Sequence, residues 1–219
     1  MKSFPSHMDL RRLRNGTIPA SAFWPILALC FALLICRAAG GVVINEIMYH
    51  PPNDFEDLQY IELFNSDSKE ADLGGWSFSK GVKFSFPKGT KLAAGGYLVV
   101  CRSQSKFAER YGNSIQVAGE FNGHLSHDGE RVELSDDDQA LIDVVKYGDS
   151  APWPKSADGR SCSLERICPG GSGEEPSNWS ASKLPELITP GGTPGKVNDS
   201  FSANPVSYTH LTLPTKRIV

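Results

Sequence analysis

The sequence predicts an all-β sandwich, and three observations carry the prediction. Short apolar and β-branched segments recur at roughly ten-residue spacing, separated by Gly, Pro, Asn and Asp turn residues. The clearest segments alternate with a period of two: in Gln59–Phe64, Ile61 and Leu63 fall on one face and Glu62 on the other, the pattern of a half-buried strand. The chain also shows no alternation of strands with long helices and no internal repeat, which excludes the α/β and solenoid classes.

The opening pair of strands is Val42–Tyr49 and Gln59–Asn65. Pro51-Pro52-Asn53-Asp54 separates them, because proline has no N–H to give to either ladder. After a polar turn at Asn65–Glu70, Asp72–Phe78 enters a third strand. Gly74-Gly75 there allows a backbone corner that a side chain would block. Val82–Phe86 alternates again, with Val82, Phe84 and Phe86 on one side. Pro87–Thr90 and Ala93–Gly96 are turns around Leu92. Tyr97–Cys101 is an unbroken apolar run, suited to a central strand, and places Cys101 as a buried small hydrophobe. Gln104–Tyr111 is the one predicted helix, with Ser103 or Ser105 as its cap and Gly112-Asn113 as its stop. Arg131–Leu134 and Ala140–Tyr147 form a hairpin around Ser135–Gln139. Ser161–Ile167 supplies one more strand. Trp179 is a late anchor, and Thr189–Gly195 is a closing run of turn residues.

Both ends of the chain read differently from this centre. Arg11, Arg12 and Arg14 precede the apolar run Ala20–Cys36, and Ala38–Gly41 are small. That order is a secretory signal peptide, with an uncleaved anchor as the alternative. Cys36 follows Leu-Leu-Ile, so it lacks the small residues of a lipoprotein site. Val206–Thr215, VSYTHLTLPT, breaks with the text before it and resembles the translation of a sequencing-library adapter, which would end the genuine sequence near Pro205. The domain reading is therefore a signal segment at 1–40, a sandwich at 41–198, the start of a linker at 199–205 and an adapter-derived tail at 206–219. The whole chain holds 22 Lys+Arg and 25 Asp+Glu. The first 40 residues contribute five basic and one acidic residue, and the last 14 contribute two basic ones. The stretch between is thus 15 basic against 24 acidic, a net of −9. So acidic a domain repels phosphate backbones and disfavours general nucleic-acid binding.

Several motifs stand in a fixed order: Ile44–Ile47 (INEI), Tyr60–Asn65 (YIELFN), Asp72–Trp76 (DLGGW) and Phe86–Val100. They continue with His127–Gly148, Trp153–Ile167, Ser177–Ser182 and Gly191–Asn198 (GGTPGKVN). In this order they resemble the lamin tail domain, a family of nuclear lamins and of many secreted bacterial proteins. The resemblance implies an immunoglobulin-like β-sandwich that serves interactions rather than catalysis. Two departures are Asp138-Gln139, where relatives often carry glycine, and the pair Cys162/Cys168, which the family does not require.

No catalytic constellation is present: there is no Gly-x-Ser-x-Gly, His-Glu-x-x-His or phosphate loop. No cofactor site is read. Asp136, Asp137 and Asp138 are the strongest charge cluster and a calcium candidate, set against a solvated hairpin tip as the simpler reading. Asp54, Glu56 and Asp57 form a second acidic loop with the same two readings. His124 and His127 lie beside Asp128 in what reads as a polar turn, and His50 as a loop residue. Cys162 and Cys168 are a candidate disulfide in an oxidising compartment, with two free thiols as the alternative. Trp76, Trp153 and Trp179 read as packing anchors rather than a sugar platform. The expected function is a secreted, extracytoplasmic or cell-surface interaction module with a protein or surface partner, touching membrane only through an uncleaved N-terminus. The alternatives are an accessory domain of a secreted nuclease or phosphoesterase whose catalytic part lies beyond Pro205, a nucleic-acid-binding module, and calcium-dependent adhesion.

Overall fold

A computed structural model describes residues 41–186 and 190–204. The signal segment and the adapter-like tail lie outside these residues. Twelve strands are described: β1 Val42–Met48, β2 Tyr60–Asn65, β3 Ala71–Asp72, β4 Ser77–Lys80, β5 Phe84–Ser85, β6 Lys91–Leu92, β7 Tyr97–Cys101, β8 Val117–Glu120, β9 Gly129–Ser135, β10 Leu141–Gly148, β11 Leu164–Arg166 and β12 Trp179–Ala181. One sheet runs β12-β11-β1-β2-β7-β8, a second β10-β9-β4-β5, and β3 pairs with β6 in a small third. All pairings are antiparallel except β7 with β8.

One core joins the two large sheets. Ile44, Ile47, Ile61, Leu63, Leu98, Val100 and Leu164 come from the first, and Phe78, Val132, Leu134, Val145 and Tyr147 from the second. Alternate side chains of the strands in each sheet fill the space between the two. The immunoglobulin-like sandwich expected from the sequence is the architecture observed.

A bulge in β1 decides what each face carries. Ile44 pairs with Leu63, yet Glu46 pairs with Glu62, so Asn45 is an extra residue with no partner across the ladder. A strict period of two would place Ile44, Glu46 and Met48 together. With one residue inserted, Ile44 and Ile47 both enter the core while Glu46 and Met48 face outward.

The outward face is itself covered, which alters one expectation. The sequence reads β2 as half-buried. Glu62 does lie on the face opposite Ile61 and Leu63, but it is fully buried. Helix α1, Gln104–Tyr111, packs Phe107 and Tyr111 against Met48, Tyr60, Val99 and Cys101. It starts where predicted: the Ser103 hydroxyl accepts from the Lys106 N–H, and Gly112 at φ 92° ends it. Two other segments are shorter than expected. Only Phe84–Ser85 of the Val82–Phe86 run is strand, although Val82 and Phe86 are buried, and only Leu164–Arg166 of Ser161–Ile167 is strand.

Candidate functional site: a buried carboxylate row

Three adjacent strands each place a glutamate at the same level of the outward face. Glu165 of β11 pairs with Glu46 of β1, which pairs with Glu62 of β2. All three are fully buried. Neighbouring strands lie about 4.8 Å apart. Two full charges at that spacing would repel by roughly 3 kcal/mol at an effective dielectric constant near 20.

What buries the row is the chain's own C-terminal segment. The Thr193 N–H donates to Glu46 Oε1 at 2.9 Å, and the Tyr60 hydroxyl donates to the same oxygen at 2.6 Å. The Thr193 hydroxyl lies 2.8 Å from Glu165 Oε1 and 3.4 Å from Glu46 Oε2, so its single proton spans the two acids. The Gly195 N–H donates to Glu62 Oε2, and the Asp199 N–H to Glu165 Oε2 at 2.8 Å. Asn45, the bulge residue, donates to both Glu62 Oε1 and Asn198 Oδ1 at 2.9 Å. Asn198 returns the contact to the Asn45 carbonyl and also donates to the Arg166 carbonyl. Close approach of the backbone requires glycine at position 192. Its φ is 96°, and a β-carbon there would lie within 2.5 Å of Glu46 Oε1 and nearer still to the Tyr60 oxygen.

Burial governs the acid chemistry of the row. Loss of hydration raises Glu46 above the usual carboxylate range, and donors from Ser163, Tyr60 and Thr193 pull it partly back. Burial and then the neighbouring Glu46 hold Glu62 well above that range. The same two causes bring Glu165 to about 7. Tyr60 is raised as well, first by burial and then by Glu46. Among the described residues no Lys or Arg makes an ion pair with any of the three glutamates. The row is therefore a set of buried hydrogen-bond acceptors, spent on holding one segment of the chain.

A second buried polar link lies at the inner edge of β11. Arg166 Nη1 reaches Asp143 Oδ2 of β10 at 2.6 Å and the Ile44 carbonyl at 3.1 Å, while Nη2 reaches the Gly171 carbonyl. Its guanidinium lies over the Trp179 ring.

The model of the Lamin Tail Domain family matches residues 37–149. The chain belongs to the lamin tail domain family. Among curated proteins, none matched it. The lamin tail domain is a non-catalytic, immunoglobulin-like family, and the matched span here contains β1 to β10. Strands β11 and β12, Arg166 and the segment over the carboxylate row all lie beyond that span.

The residues singled out in the sequence are placed as follows. Asp136 closes the β9–β10 turn: its Oδ1 accepts from the Ala140 N–H at 2.8 Å. Gln139 takes the left-handed position at φ 66°, where glycine would be unstrained. Asp137 and Asp138 are exposed at the same tip, and among the described residues no group of three His, Cys, Asp or Glu is gathered to hold a metal ion. Cys162 and Cys168 are both buried free thiols, which corrects the candidate disulfide. Strand β11 stands between them. Three extended residues alone rise about 10 Å, well past the roughly 5.5 Å that separates the α-carbons of a bonded pair. Cys101 is a buried free thiol, pushed up to about 12 by burial and Glu120. His124 is exposed, whereas His127 stacks on His50 at 3.7 Å between ring centroids, and His50 Nδ1 lies 2.6 Å from Asp158 Oδ1. Trp179 is buried and donates to the Gly173 carbonyl, Trp153 packs beside it, and Trp76 packs against the core.

The glutamate row itself was missed. Its signal was present in the motifs, since Glu46 and Glu62 sit in the two opening strands and Thr193 and Asn198 in the closing GGTPGKVN. Alternation assigns a polar residue to a second face, but it cannot tell whether a distant segment covers that face.

Proposed function

We propose that this chain is an extracytoplasmic interaction and scaffolding module, the N-terminal part of a larger secreted or surface protein. What supports the reading is that its buried polar chemistry is directed inward. The three carboxylates and Asn45 are engaged by the backbone and side chains of 193–199, which leaves the sandwich surface, not a catalytic cleft, as the place to meet a partner. The basic, apolar and small residues of 1–41 support export, and the net charge of −9 between the ends favours a partner that is not a polyanion.

The test is fractionation of cells expressing the tagged full chain, with sequencing of the mature N-terminus, followed by chemical cross-linking at the surface. A mature protein starting near Ala39–Gly41 outside the cytoplasm, linked saturably to one protein partner, is the expected result. Retention of the full-length chain in the cytoplasm would overturn the localisation. Hydrolysis of nucleic acid or phosphoesters by the purified domain would overturn the non-catalytic role.

A further inference from the structure

We propose that the segment Gly191–Ser202 is a proton-controlled strap, closed over the six-stranded sheet while Glu46, Glu62 and Glu165 are neutral and released as they ionise.

The geometry concentrates the strap's anchors on these acids. Three backbone N–H groups and one hydroxyl of the strap, from Thr193, Gly195 and Asp199, end on the three carboxyl groups. The strap's donors by themselves favour the ionised form of each acid. Burial opposes it, because three like charges would then stand side by side without water.

Among the described residues no Lys or Arg is ion-paired to the row. From β2 it is faced by Tyr60, from β7 by Tyr97, from α1 by Tyr111 and from the strap by Asp199. The nearby cations are committed elsewhere: Arg110 donates to the Pro190 carbonyl, and Lys183 pairs with Asp199 from a largely exposed position. Lys196 of the strap is itself exposed. Lifting the strap would admit water to the acids, and hydrated carboxylates ionise in the ordinary range near 4.5. The closed form therefore holds protons that the open form sheds, and rising pH favours opening. Glu165 reaches about 7 when closed, and Glu46 and Glu62 are raised in the same direction.

Hydrogen exchange of the full chain between pH 5 and 9, corrected for the intrinsic rate of each amide, tests the strap directly. With one proton released on opening, exchange at Gly195 and Asp199 should rise about tenfold per pH unit through the range below 7, and more steeply if two are released. The amides of β9 should show no such slope. Glu165→Gln should flatten the lower part of the profile. Infrared spectra give a second readout that needs no variant: protonated carboxyl absorption should persist at pH 6 and vanish on the alkaline side in step with strap exchange. A corrected rate independent of pH, a slope unchanged in Glu165→Gln, or no protonated carboxyl at pH 6 would each overturn the proposal.

Discussion

Replacing Arg166 by methionine should be among the most damaging single changes available in this domain. Its side chain is 3 % exposed and that of Asp143 is 11 % exposed, with 2.6 Å between Nη1 and Oδ2. Methionine keeps much of the length and packs on Trp179, but the Asp143 carboxylate is then left with one donor, the Ile44 N–H at 2.8 Å. The carbonyls of Ile44 and Gly171 also lose their guanidinium donor. Removing one partner of a buried ion pair costs about 3–5 kcal/mol, mostly as the penalty of the charge left behind. Asp143→Leu should cost about 2–4 kcal/mol by the converse argument, together with the orphaned Ile44 N–H. Combining the two removes both charges, so the double variant should be more stable than the sum of the single effects predicts, by roughly 2 kcal/mol. Urea denaturation of residues 41–204 with the three variants measures the cycle, provided the slope with urea stays constant. A loss under about 1 kcal/mol for Arg166→Met, or single effects that add within about 0.5 kcal/mol, would refute the reasoning. Because Asp143 lies in β10 and Arg166 in β11, the same cycle measures how firmly β11 is tied to the second sheet.

Other consequences are open to equally direct measurement. Gly192→Ala should destabilise by about 2 kcal/mol or more, since a β-carbon meets Glu46 and Tyr60 at a positive φ; an unchanged melting temperature would contradict the packing. Gln139→Gly should raise stability by about 1 kcal/mol through relief of the left-handed backbone, and a loss would mean the glutamine side chain matters more than its φ. The glutamate row's contribution to global stability should be fully present below about pH 4.5, because its protons are held more tightly folded than unfolded. That contribution declines as pH rises through about 7, where Glu165 ionises, and melting curves of the triple Glu→Gln variant should lack this decline. Reducing agent should leave the melting temperature unaltered, with Cys162 and Cys168 labelled only on unfolding; a fall of several degrees would reveal a bond between them.

Much of the sandwich was legible in the chain because its core strands alternate. Ile61 and Leu63, Leu98 and Val100, Val132 and Leu134 are all found where period two sends them. The helix was legible for a local reason too: Ser103 and Gly112 end it with groups that lie next to it in sequence. What stayed hidden depends on partners far away along the chain. The bulge at Asn45 shows only in the register with β2, and Asn45 finds its role only against Asn198. Likewise Arg166 reads as one more charge in a strand until Asp143 is seen behind it. The stacked His50 and His127 come from separate loops, and neither carries a local signal for the other.

The distance along the chain between Asn45 and Asn198 has a consequence for how this protein is made. The residue that stabilises the bulge in the first strand is synthesised 153 positions later. Closing so long a loop is slow compared with forming the hairpins, so β2 can pair with β1 and β7 well before the outer side of the sheet is sealed. Completion of the domain therefore waits for nearly the last described residue to emerge. Until then the nascent chain carries its three glutamates in water, ionised, soluble and mutually repelling. Their dehydration is a late act of folding, and residues 193–199 are what perform it.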